Sequence, residues 1–133
     1  MNVRDLLTFL GLQIFSIAVA GGSFALIENR LVAGGIAGGY FVISGLFMVW
    51  RSMKWKDKWH SFAVYPLFAH VFAISIPMMI SRFLQAGTDF EAVRIFGLEG
   101  PEFHKLSTRL FMVLIAGTTI DLIRVWRAER ATR

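Results

Sequence analysis

The sequence predicts an all-α membrane protein, a single bundle of four transmembrane helices. Three observations carry this. Of the 133 residues, 56% are hydrophobic, above the roughly 45–50% of an ordinary globular domain. The excess is gathered into four blocks, Leu6–Ile27, Leu31–Trp50, Phe62–Ile80 and Leu106–Val125, and a helix needs roughly 20 apolar residues to cross a hydrocarbon core about 30 Å thick. The charges cluster between and after these blocks. The longest connection, Arg82 to Lys105, is too short to bury a core of its own. The chain is therefore one polytopic domain, residues 1–133, with helices expected at about 3–27, 31–51, 59–82 and 101–127.

Helix one opens with Arg4, an apolar run and then "AVAGG", which also has the form of a secretory signal with an Ala18-x-Ala20 cleavage site. It is read as a retained first membrane helix. The connection "ENR" (Glu28, Asn29, Arg30) permits only a tight antiparallel hairpin into helix two. Helix two begins "LVAGGIAGGY", with Gly34 four residues before Gly38 and Gly35 four before Gly39. Small residues at this spacing let another helix backbone approach closely. Ala18, Gly21, Gly22 and Ala25 of helix one lie at the same depth. The expected use is a seam between helices one and two, and the alternative is an oligomer or partner interface.

The second connection, "RSMKWKDKWH", sets Arg51, Lys54, Lys56 and Lys58 against Asp57. The C-terminal tail sets Arg124, Arg127, Arg130 and Arg133 against Glu129, whereas the third connection balances its basic residues with Asp89, Glu91, Glu99 and Glu102. By the positive-inside rule, both termini and the second connection face the cytoplasm of an inner (cytoplasmic) membrane. The net charge of +5 is then a topology signal and an attraction to anionic lipid head groups. No recognition module accompanies it, and no nucleic-acid role is expected. Trp50, Trp55, Trp59 and Trp126 fall at this same boundary, where amphipathic rings anchor a helix at the lipid–water interface.

Helix three carries His70 in an otherwise apolar run between Pro66 and Pro77. Each proline frees a carbonyl one turn earlier, that of Phe62 or Ala73, and permits a bend. In the third connection, Thr88 and Glu91 read as a capping box and Gly97 as a helix stop. A short amphipathic helix at about 88–97 is therefore expected on the membrane surface, with Phe90, Val93 and Phe96 toward lipid. Pro101 marks the start of helix four.

Helical rise serves as a depth gauge. It places Gln13 and Ser16, Tyr40 and Ser44, His70, and Thr118 and Thr119 in one layer at mid-membrane. Polar groups there require internal partners. The leading expectation is that His70 cross-links helices within this layer. The alternative is a titratable group on a proton or solute pathway. Asp121 is expected to pair with Arg124 or to reach the interface, and Arg109 to reach the opposite one.

The absence of cysteine excludes thiol nucleophiles, disulfide exchange and cysteine-ligated metals. His60 and His70 are separated by about 15 Å along one helix, and His104 lies at the other boundary, so no metal and no cofactor is expected. A bis-histidine haem would need His70 from two subunits or from a partner chain. His104, Ser107 and Glu102 carry no oxyanion-hole signature. The functional expectation is a non-catalytic membrane subunit that self-associates or docks onto other membrane subunits through its glycine-rich faces. The alternatives are a small channel or carrier with His70 in its pathway, and a haem- or quinone-associated redox subunit.

Overall fold

The computed structural model describes residues 1–132, so Arg133 of the basic tail lies outside it. Helix α1 spans Val3–Leu26 and α2 spans Arg30–Ser52. After a single 3₁₀ turn at Lys58–His60, α3 runs over Val64–Leu84, and α4 over Gly100–Ala131. All four are long and apolar enough to cross a membrane. They form a closed ring in which α1 packs on α2 and α4, and α3 packs on the same two.

Neighbours in the ring run antiparallel, and paired residues show it. Asp5 in the first turn of α1 meets Arg51 in the last turn of α2. Gly34 near the start of α2 faces Arg82 near the end of α3. Asp121 in the second half of α4 meets Ser61 and Ala63 ahead of α3. The bundle thus has a termini end, with the connection 53–63, and a hairpin end, with the connections 27–29 and 85–99.

Local signals explain the boundaries. Asn2 accepts from the Asp5 amide at 2.7 Å, and Asn29 accepts from the amides of Leu31 and Val32. Each satisfies donors that a helix start leaves free. The main core lies in the termini half, where Leu6, Phe9, Met48, Trp55, Val64, Leu67, Val71, Phe111 and Leu114 pack together. A smaller cluster of Ile74, Val93, Ile95 and Phe103 closes the hairpin end.

The expected surface helix at 88–97 does not form. The segment makes a turn at Asp89–Val93 and then a two-stranded hairpin, β1 (Arg94–Ile95) against β2 (Leu98–Glu99). Phe96 and Gly97 both take positive φ, 52° and 82°, the backbone of the tight turn whose twist matches two antiparallel strands. The Gln85 side chain donates to the Arg94 carbonyl and accepts from its amide, docking the hairpin onto the end of α3. Val93, expected toward lipid, is buried with Ile95, while Phe96 remains 75% exposed.

Candidate functional site

The mid-membrane residues are the natural place to look for chemistry. Gln13 and Thr118 do meet: Gln13 Nε2 donates to Thr118 Oγ1 at 2.9 Å, joining α1 to α4. The Thr118 hydroxyl in turn donates to the Leu114 carbonyl. Gln13 Oε1 is buried without a partner, so this cross-link is only half satisfied. The other hydroxyls bond within their own helices, Ser16 to the Leu12 carbonyl, Ser44 to that of Tyr40, and Thr119 to that of Ile115. Tyr40 sets its ring edge-on to Phe15, with centroids 5.4 Å apart.

His70 is not a cross-link between helices. Its ring packs against Phe41 and Phe111, with centroids 5.9 and 5.1 Å away. Its Nδ1 shares a hydrogen bond of 3.1 Å with Ser75 Oγ, five residues further along the same helix. On a regular α-helix, residues three or four apart are neighbours. Here His70–Ser75 is a π-helical turn, in which the Ile76 amide donates to the Val71 carbonyl. The wider turn brings positions five apart together, immediately before Pro77, which has no amide to continue the α pattern. Gly45 of α2 makes room for it, since a methyl group there would meet Val71 Cγ2 at 2.6 Å.

Two buried carboxylates at the termini end outrank this layer in hydrogen bonding; sequence reasoning missed Asp5 and, for Asp121, found only the pairing with Arg124. Asp121 is fully buried rather than reaching the interface. It accepts from Ser61 Oγ at 2.6 Å and from the Ala63 amide at 3.1 Å through one oxygen, and from Arg124 at 3.2 Å through the other. Ser61 Oγ in turn accepts from the amides of Ala63 and Val64. One turn earlier on α4, Gly117 lies against the Phe62 carbonyl, the group that Pro66 leaves without its helical donor. The Gly117–Asp121 ridge of α4 is thus a seat for the start of α3.

Asp5 is the counterpart on α1. It accepts from Arg51 Nε at 3.0 Å and from Trp55 Nε1 at 2.8 Å. Trp55 is therefore no interface anchor: its ring stacks on Phe9 at 5.1 Å and is buried. Trp50, Trp59 and Trp126 remain exposed. Lys54 and Arg130 lie 3.7 Å over the rings of Trp50 and Trp126, a cation–π geometry suited to a charged interface.

The glycine seam also differs from expectation. Gly34 and Gly38 face α3, where Arg82 and Met79 occupy the space that side chains would take. Gly39 touches only the end of Met79. No atom lies within 4 Å of where a side chain would begin at Gly21, Gly22 or Gly35. Those three glycines thus make no close seam between α1 and α2.

His60, His70 and His104 stand in the 3₁₀ turn, in mid-α3 and at the start of α4. Among the described residues, no group of three or more histidine or acidic side chains is placed to hold a metal ion. Comparison with protein-family models, curated proteins and solved structures finds no match to this chain.

Proposed function

We propose that this chain is a non-catalytic, multi-pass subunit of a cytoplasmic membrane that associates with a second copy of itself. One observation carries the reading: Gly21, Gly22 and Gly35 stand without neighbours on the hairpin halves of α1 and α2. On α2, Gly34 and Gly38 are filled by α3 and Gly39 touches the tip of Met79, whereas a side chain begun at Gly35 would meet nothing outside its own helix within 4 Å. Bare backbone at this depth allows the close helix crossing that membrane association requires. The centre of the monomer is filled by Phe41, His70 and Phe111, which favours a structural role over a conduit through one chain.

Subunit counting by single-molecule photobleaching in native membranes tests it. The wild type should give two bleaching steps and Gly35→Leu one, with the helical content of the monomer unchanged. Single steps for the wild type would end the proposal. Orientation follows from the basic residues around Asp57 and in the tail. The chain has no cysteine, so cysteines introduced at 57 and 89 report it directly, the first reacting with an impermeant maleimide only after the membrane is opened.

The π turn favours a second reading, because such turns are frequent at functional sites. In it, the His70–Ser75 pair lines a pathway opened by movement of α3. His70→Phe should then abolish solute or proton flux in vesicles. No resident haem is proposed, and the purified protein should show no Soret band.

A further inference from the structure

The hairpin end contains a guanidinium that takes part in no ion pair among the described residues. Arg82, in the last turn of α3, lays its guanidinium against the bare backbone at Gly34, 5.8 Å from the ring centre of Phe24 and 5.0 Å from that of Phe90. Its Nε is buried and has no hydrogen-bond partner. Arg30, at the start of α2, also stands over Phe24 at 5.9 Å and donates to its carbonyl at 3.4 Å, so two guanidinium groups lie within 6 Å of the centre of one ring. Among the described residues, the ion pairs are Asp5–Arg51, Glu99–Arg94 and Asp121–Arg124. None includes Arg82, Arg30 or the neighbouring Glu28.

We propose that Arg82 and Arg30 together hold the phosphate group of an anionic ligand at this end of the bundle. A half-buried guanidinium is costly to leave unpaired, and its planar fork of donors matches phosphate oxygens. The aromatic faces on either side orient the fork without supplying an acceptor. The pair lies at the hairpin end, Arg30 at the start of α2 and Arg82 at the end of α3, and an anionic phospholipid and free phosphate share the required chemistry.

The experiment is native mass spectrometry of protein taken from vesicles of equal phosphatidylglycerol and phosphatidylcholine. The wild type should retain phosphatidylglycerol preferentially. Arg82→Gln and Arg30→Gln should each lower that preference about fivefold, the contribution of one basic residue beside an anionic group. Arg82→Lys, which keeps the charge, should fall between. Arg30 is exposed, so its variant reports even where Arg82→Gln misfolds. Displacement of the lipid by millimolar inorganic phosphate, lost in the same variants, identifies a soluble phosphate ligand and also upholds the site. Equal retention of both lipids with no phosphate binding overturns it, as does retention that both glutamine variants leave unchanged.

Discussion

The two ends of the bundle solve the same problem differently. At the termini end, each buried carboxylate is met by several donors from distant parts of the chain. At the hairpin end, helices approach over glycine, and the buried Nε of Arg82 has no acceptor among the described residues. Polar groups in hydrocarbon need partners in either case. The first end finds them within the chain, while the second has contacts left to make. A scaffold closed at one end and unsaturated at the other fits a subunit whose stability and associations are divided between its halves.

Substitutions at the two ends should therefore differ in cost, and the largest effect is expected at Asp121. Asp121→Ala leaves the Ser61 hydroxyl and the Ala63 amide buried without their acceptor and should destabilise by about 2–4 kcal/mol. Unfolding by denaturing detergent in mixed micelles measures this, and a loss under about 1 kcal/mol would contradict the account of the termini end. Gly117→Ala comes next. Its methyl group meets the Phe62 backbone carbonyl, which cannot turn aside, and forcing α3 and α4 apart should cost about 1–3 kcal/mol in the same assay.

Trp55→Phe keeps most of the stacking on Phe9 but removes the donor to Asp5, for about 1–2 kcal/mol. Its indole fluorescence is lost too, so unfolding is followed by circular dichroism. The smallest effect belongs to the hairpin end. Gly34→Ala displaces only the tip of a long side chain, and Arg82 can swing away, so the change should stay within about 0.5 kcal/mol. A cost above that of Gly117→Ala would remove the contrast between the two ends.

How far the sequence reveals this arrangement depends on the range of the interaction. The four spans follow from apolar run length, a local property, and four helices form, α3 starting at Val64 rather than about 59 and α4 running to Ala131 rather than about 127. The surface helix does not form because the Thr88–Glu91 capping signal and the spacing of Phe90, Val93 and Phe96 are equally compatible with a turn followed by a hairpin. The decisive signal was Phe96–Gly97, a two-residue turn whose first position is a phenylalanine at positive φ, an uncommon choice there. Trp55 shares its composition and setting with its exposed neighbours, and only Asp5, fifty residues away, draws it inward. Asp121 looked like a local partner for Arg124, yet its main partners lie about sixty residues earlier. His70 and Ser75 pair only because the turn between them is wide, which helical spacing by itself does not indicate.

The seat that α4 provides for α3 also bears on the order in which the chain is made. Helices enter the membrane from the N-terminus as synthesis proceeds. When α3 has been inserted, the Ser61 hydroxyl, the Ala63 amide and the Phe62 carbonyl are still without the groups they later contact, because α4, which carries Gly117 and Asp121, has not yet joined the bundle. A nascent three-helix chain thus displays a polar start to its last helix, available to water or an insertion chaperone. The arrival of α4 withdraws that signal. Helix α4 is the latch that covers the start of α3.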